Sequence, residues 1–337
     1  MPIPTHHLSF TPTVARATDP VRARIGRYYP PAQWQQLAPY IHEINRLKAE
    51  KHAVVLAHHY MTPDIYYGVA DVVGDSLALA RAARNLDADV IIQAGVRFMA
   101  ETSKLLNPGK TVLLPDTMAG CSLAESIAPA DVARLRREHP GAPVVAYVNT
   151  SAAIKAESDI CCTSGNALSI VNGLGAREVI MIPDRYLAQY VAARTDVTIH
   201  SFSGACEVHE RFTAADVTRF RHGDAKTAVL AHPECPPDVL EAADFTGSTA
   251  QMIAWVQRTR PERVVMITEC SMSDNVAAAN PDIEFLNGCR MCPHMKRISL
   301  PKILDALRTM QTPIEIDDAI ATRARRSVER MLDLLPQ

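Results

Sequence analysis

Three of the eight cysteines, Cys121, Cys206 and Cys292, lie 85 and 86 residues apart. Thiolates are the side chains that hold iron–sulfur clusters. Three sulfurs on one centre suit a [4Fe–4S] cluster with one iron left open, a position from which a metal acts as a Lewis acid on a substrate oxygen. An electron-transfer cluster ordinarily takes a fourth cysteine, and the even spacing supplies three. Zinc is the alternative: Cys206-x-x-His209 with Cys289-x-x-Cys292 makes a four-ligand set, although it leaves Cys121 and the spacing without a reason. The other thiols have quieter readings. Cys161, Cys162 and Cys270 stand in apolar stretches and read as core residues. Cys235 follows a candidate active-site motif and reads as core or as site. Cys289 is either a neighbouring thiol without a role or a disulfide partner of Cys292, which would remove a ligand and act as a redox switch.

Candidate acid–base groups end three short apolar runs: HAVVLAHHY (52–60) with His58 and Tyr60, APVVAYVNT (142–150) with Tyr147 and Asn149, and TAVLAHPEC (227–235) with His232 and Glu234. An imidazole beside a phenol or a carboxylate is the equipment of proton transfer. His59 neighbours His58, but alternation along an extended chain sends it to the opposite side. His6, His7 and His222 read as solvated surface residues. Behind each run comes an aspartate, Asp71, Asp159 or Asp244, and five residues later a hydroxyl, Ser76, Ser164 or Thr249. A hydroxyl at a helix start serves as an N-cap, and the same helix start offers backbone donors to an anion. Three such places suit a small substrate carrying several carboxylates or phosphates.

The elements that position these groups recur three times. Each copy has an apolar strand, an Asp-led segment, a third apolar run (88–95, 176–184, 261–269) and a short strand leading to the spaced cysteine. Strands alternating with helical stretches indicate parallel α/β layers, and ligands of such sheets bind outside the carboxyl ends of the strands. The expected architecture is three repeated αβα domains about a pseudo-threefold axis, with the active site at their junction. The expected division is an N-terminal extension and helix (1–50), repeats at 51–138, 139–222 and 223–298, and C-terminal helices (299–337). HPGAP (139–143) and RHGDAK (221–226) read as joints. The first twenty residues read as loosely attached, and 31–51 and 317–335 as amphipathic terminal helices. The chain has 337 residues, is 47% hydrophobic and carries a formal charge of −2. That charge argues against nucleic-acid or acidic-membrane partners. Without a signal-peptide or membrane-length apolar run, a cytoplasmic protein is expected, where cysteines serve as ligands, core residues or reactive thiols rather than disulfides.

Read together, VLAHHY, GDSLALAR, FMAETSKLLNPGKTVLLPDTMAGCSLAES, YVNTSAAIKA, CTSGNA, SGACEVHERF, AHPEC, GSTAQMI and CPHM resemble the quinolinate synthase family, cluster-containing enzymes of bacterial and plant NAD biosynthesis. The likeness runs in unbroken order from about residue 50 to about residue 296. It implies that Cys121, Cys206 and Cys292 hold a [4Fe–4S] cluster. It implies that iminoaspartate is contacted by His58, Ser76, Tyr147, Val148, Asn149, Ser164, His232, Pro233, Glu234 and Thr249. Tyr60 matches the tyrosine after the family's AHN motif; here the motif reads AHHY, so His59 replaces the usual Asn. Some relatives carry C-x-x-C-x-x-C at the last ligand, whereas this chain has only Cys289 and Cys292, the latter beside Pro-x-Met. The implied reaction condenses iminoaspartate with dihydroxyacetone phosphate, losing phosphate and water, with Tyr60, His232 and Glu234 moving protons. Because iminoaspartate is short-lived, transient contact with L-aspartate oxidase is plausible. Rival readings are an aconitase-like hydro-lyase on another polycarboxylate and a non-catalytic iron–sulfur redox protein.

Overall fold

A computed structural model describes residues 6–221, 223–224 and 226–334; His222 lies outside the described residues. Twelve strands run in chain order: β1 Ala53–His58, β2 Val72–Gly74, β3 Val90–Ala94, β4 Thr111–Leu113, β5 Val144–Tyr147, β6 Ile160–Cys162, β7 Glu178–Ile182, β8 Thr198–Ser201, β9 Thr227–Ala231, β10 Phe245–Thr246, β11 Arg263–Ile267 and β12 Glu284–Leu286. They form three four-stranded sheets with one and the same order: β2-β1-β3-β4, β6-β5-β7-β8 and β10-β9-β11-β12. Every pairing is parallel. The centres of the inner strands are apolar, as suits strands covered on both faces; Val55, Leu56, Val145, Ile180, Val229 and Val265 are all fully buried.

The Asp-led segments owe their recurrence to a structural task. Asp71, Asp159 and Asp244 each accept a hydrogen bond on Oδ2 from a backbone N–H near the start of the first strand, at Val55 (2.8 Å), Val144 (2.7 Å) and Val229 (2.7 Å). Each also pairs with a cation from the preceding helix: Lys48 at 2.7 Å, Arg136 at 2.8 Å and Arg221 at 3.0 Å. That cation in turn donates to the carbonyl two residues before the aspartate, at Val69, Glu157 and Ala242. One lock is thus used three times, tying the preceding helix to the paired first and second strands.

The chain divides into two compact units. The first holds the sheet of β1–β4 and comprises the chain up to Ala119 with Ser271–Pro281 and Met291–Ile314. The second holds the other two sheets and comprises Gly120–Cys270, Asp282–Arg290 and the chain from Glu315 onward. The N-terminal segment departs from expectation. Rather than being loose, it forms helix Pro12–Ile25, capped by the Thr11 hydroxyl and burying Val14, Thr18 and Ile25. Its apolar stripe is hidden in the sequence because Thr18 fills a buried position by donating its hydroxyl to the Val14 carbonyl at 2.8 Å. The other terminal helices are Pro31–Glu50 and Asp318–Leu334. Among the described residues no helix is long and apolar enough to cross a membrane.

Candidate active site

In the second unit the polar residues beyond β9 meet those beyond β5. The Glu234 carboxylate is buried, with Oε2 lying 2.7 Å from Nδ1 of His209 and 3.4 Å from Nδ1 of His232. Asn149 donates from Nδ2 to Oε1 at 3.3 Å. Burial opposes the charge on Glu234, but the two imidazoles outweigh it and hold the carboxyl well below its ordinary range. Burial lowers the pKa of His209 in spite of that carboxylate. An ionised carboxylate only accepts, so Nδ1 of His209 carries a hydrogen and donates it. Nε2 lies 3.0 Å from the Thr268 hydroxyl. The remaining amide oxygen of Asn149 is buried without a hydrogen-bond partner, an acceptor aimed at something the protein itself does not supply.

The same imidazole reaches a cysteine. His209 Nδ1 stands 3.2 Å from Sγ of Cys206, and the ligand atoms of Cys206, His209 and Glu234 all lie within 4.8 Å of one another. Burial, then the charges of Glu234 and Cys121, push the Cys206 thiol well above its usual range, so a bound cation is what would keep it a thiolate. Ser122 joins the two cysteine loops: its hydroxyl donates to the Ala205 carbonyl at 3.4 Å and accepts from the Glu207 N–H at 3.1 Å. Asp184, on the loop after β7, caps helix Arg185–Ala192 through Oδ1. Its other oxygen is buried without a hydrogen-bond partner; burial and the Glu234 charge push this carboxyl well above the ordinary range.

The first unit presents the matching strand end. His58 closes β1 opposite Gly74, two residues before Ser76. Its Nδ1 accepts from the Tyr60 N–H at 3.2 Å, as Nδ1 of His232 accepts from the Glu234 N–H at 3.4 Å. The rings of His58 and Tyr60 meet edge to face, 4.6 Å between centroids. Buried His59 has its pKa pulled down to about 4 by burial, against the pull of Asp75. Cys292 is in this unit too, and its carbonyl accepts from the Lys296 N–H at 3.1 Å.

Every expected substrate residue can be placed on this repeated frame. Tyr147 ends β5 opposite Cys162, two residues before Ser164. The buried backbone of Val148 donates to the Cys162 carbonyl at 2.9 Å, and Pro233 is buried between His232 and Glu234. The Ser164 and Thr249 segments adjoin each other, since Gln251 reaches the Gly165 carbonyl at 3.5 Å. A Cβ at Gly165 would stand only 3.2 Å from Oγ of Ser248, which suits glycine there. The three hydroxyls are not the caps, however. Asp75, Asn166 and Ser248 occupy the N-cap positions; Ser76 and Thr249 are the first helical residues, and Ser164 lies two residues before its cap. Asp75 and Ser248 accept the cap hydrogen bond in their repeats, whereas Asn166 holds its N-cap position without one.

The cysteines sort by exposure. Of the six outside a disulfide, Cys121, Cys206 and Cys292 are partly exposed, while Cys161, Cys162 and Cys235 are buried. Cys235 belongs to the apolar core around Phe212, Val229 and Ile267. The expectation for Cys270 and Cys289 is corrected: they form a disulfide with each other, Cα atoms 4.8 Å apart, so Cys270 is not a free core thiol and Cys289 pairs with it rather than with Cys292. That bond also takes one thiolate from the zinc set. His209 enters the sequence reading only as a zinc ligand, and Thr268 and Asp184 do not enter it. The last two follow β11 and β7, where the strand-end rule that singles out His232 and Asn149 applies equally.

The family model described as quinolinate synthetase A protein matches residues 42–333. The chain is 61% identical over 292 residues to a quinolinate synthase of Xylella fastidiosa, covering 87% of this chain and 86% of the relative. It is 59% identical over 309 residues to quinolinate synthase 2 of Mesorhizobium japonicum, covering 92% and 95%. It is 58% identical over 311 residues to the quinolinate synthase of Agrobacterium fabrum, covering 92% and 90%. A likeness of this extent places the chain in the quinolinate synthase family of enzymes.

Proposed function

We propose that this chain condenses iminoaspartate with dihydroxyacetone phosphate to quinolinate, with loss of phosphate and water, as a step of NAD biosynthesis. The observation that carries the reading is the Glu234 carboxylate, buried and ionised between His209 and His232. Cys121, Cys206 and Cys292 would hold a [4Fe–4S] cluster: they are the three partly exposed cysteines outside the disulfide, and each follows the last strand of its repeat. When bound, such a cluster supplies a Lewis acid at the iron that lacks a protein ligand.

The protein's own groups do the rest. Two carboxylates and one phosphate are anions for which Ser76, Ser164 and Thr249 offer hydroxyl donors. The orphaned Asn149 oxygen accepts the N–H of the imine, and the strand-end backbone from Tyr147 through Asn149, with His58 and Pro233, orients it. Glu234 takes a proton during isomerisation and dehydration, and His232, whose imidazole lies beside the carboxylate, relays it. His209 fixes the carboxylate through Nδ1–H. The Tyr60 phenol, packed on His58, donates to the departing oxygen. Excluding water matters because the imine hydrolyses, and it gives brief contact with the oxidase that makes iminoaspartate a purpose. The test is anaerobic purification with iron and sulfide analysis and an assay of quinolinate from the two substrates. Cys121→Ala should lose both the brown absorbance and turnover, whereas quinolinate formation without iron would overturn the proposal.

A further inference from the structure

Three consecutive backbone carbonyls after β1 are each met by a side chain from a later part of the same unit. Asn275 donates from Nδ2 to the carbonyls of His59 at 3.1 Å and Met61 at 2.8 Å. Between them, Lys296 donates from Nζ to the carbonyl of Tyr60 at 2.9 Å, and also to the Ser271 hydroxyl at 2.7 Å. Ser271 and Asn275 are four residues apart in helix Cys270–Ala279 and so share one face. Lys296 is anchored in turn, because its backbone N–H donates to the Cys292 carbonyl at 3.1 Å. Asn275 is 3% exposed and Tyr60 9%. Buried carbonyls need donors, so the path of this segment depends on these two side chains.

The second repeat meets the same need from within. Lys155, on the short helix Ala152–Ala156, donates to the carbonyls of Val148 and Thr150. Counted from the strand-end residue, those are the positions of His59 and Met61. The corresponding helix of the first repeat, Pro63–Gly68, contains no lysine. The repeat that carries Tyr60 takes its donors instead from either side of β12, Asn275 before it and Lys296 after it.

We propose that Asn275 and Lys296 are positioning residues for Tyr60, and that Lys296 makes the Tyr60 segment and the Cys292 turn move as one body. Holding a carbonyl fixes the peptide plane beside the residue's own Cα, and hence the direction in which its phenol leaves the backbone. The inference rests on reading Tyr60 as a proton-transferring group.

The experiment places 3-fluorotyrosine at position 60 in the full chain with its cluster. It records the ¹⁹F resonance in the parent and in Asn275→Ala, Lys296→Met and Lys296→Arg. Both disruptive variants should shift or broaden the line, while Lys296→Arg, which keeps a donor, should stay near the parent. In the unlabelled enzyme, Asn275→Ala and Lys296→Met should each lower kcat by about tenfold or more with KM nearly unchanged, since misplacement of a reacting group costs turnover. In a Tyr60→Phe background, Lys296→Met should cost less than about twofold further, because one function cannot be lost twice. Should Lys296→Met not fold, Asn275→Ser carries the same comparison. An unchanged ¹⁹F line, or losses that multiply with Tyr60→Phe, overturns the inference. Full turnover by Tyr60→Phe overturns instead the underlying reading of Tyr60, whatever the line does.

Discussion

Replacing Glu234 by Gln separates proton transfer from architecture, because the site can absorb the change in shape. The side chain keeps its volume and exchanges one oxygen for an NH2 group. The oxygen must stay on the His209 side, since Nδ1–H, 2.7 Å away, needs an acceptor. The new NH2 then faces Asn149, whose amide at 3.3 Å can turn its unpartnered oxygen inward to accept. One hydrogen bond is exchanged for another, so stability should change by no more than about 1 kcal/mol. What disappears is the base, and because the Asn149 oxygen that turns inward no longer meets the imine, KM should rise as kcat falls. A positioned general acid or base contributes roughly 10²–10⁴ in rate, equivalent to about 2.7–5.4 kcal/mol of barrier. Glu234→Gln should therefore cut kcat for quinolinate formation by about 100-fold or more, with thermal unfolding and iron per chain close to the parent's. A loss below about fivefold refutes the assignment of Glu234 as the base. A fall in iron that matches the fall in turnover would instead give the residue a part in holding the cluster.

Two further outcomes test the frame around the site. Asp159→Ala, Asp71→Ala and Asp244→Ala each remove a bond to a strand N–H and a partly exposed ion pair. Each should lower unfolding stability by about 1–2 kcal/mol with little change in KM, as followed by urea denaturation. Asp184 has a folded-state pKa raised by burial and by Glu234, so the stability it contributes is present below the ordinary carboxylate range and lost as pH rises toward the raised value. Asp184→Asn keeps the helix cap on Oδ1 and removes this dependence, so thermal unfolding compared at about pH 5 and about pH 8 should move in favour of the variant at the higher value; an equal gap at both would contradict a protonated Asp184.

The three sheets are legible because each first strand is an unmixed apolar run closed by polar residues. The lock around Asp71, Asp159 and Asp244 then repeats its letters along with its geometry. The partners of Glu234 are less legible. His209 stands three residues after Cys206, and only the one-turn helix His209–Arg211 and the neighbouring ends of β9 and β11 bring its ring to the carboxylate. The caps are ambiguous for a different reason: GDS, SGN and GST each put the marked hydroxyl within two residues of another capping-type residue; a hydrogen bond decides for Asp75 and Ser248, whereas Asn166 holds its cap position without one. The disulfide is a matter of register. β11 pairs with β12 through Val265 and Leu286, and a further bridge joins Glu269 to Arg290. That register brings Cys270 beside Cys289, whereas sequence distance favours Cys289 with Cys292.

The repeats also explain how one frame can carry three different chemistries. What recurs unchanged is the part that sets position: strand order, the aspartate lock, and a cysteine after the last strand. What differs is the pair of residues just past the first strand, His58 with Tyr60, Tyr147 with Asn149 and His232 with Glu234. These pairs can diverge because the lock lies at the far end of the same strand and makes no demand on them. Where a pair does need support, each repeat supplies its own: Lys155 behind Asn149, His209 beside Glu234, Asn275 and Lys296 behind Tyr60. A substitution in the lock should therefore weaken its repeat without altering the chemistry at that strand end, while a substitution among these supports should alter the chemistry and leave the repeat standing.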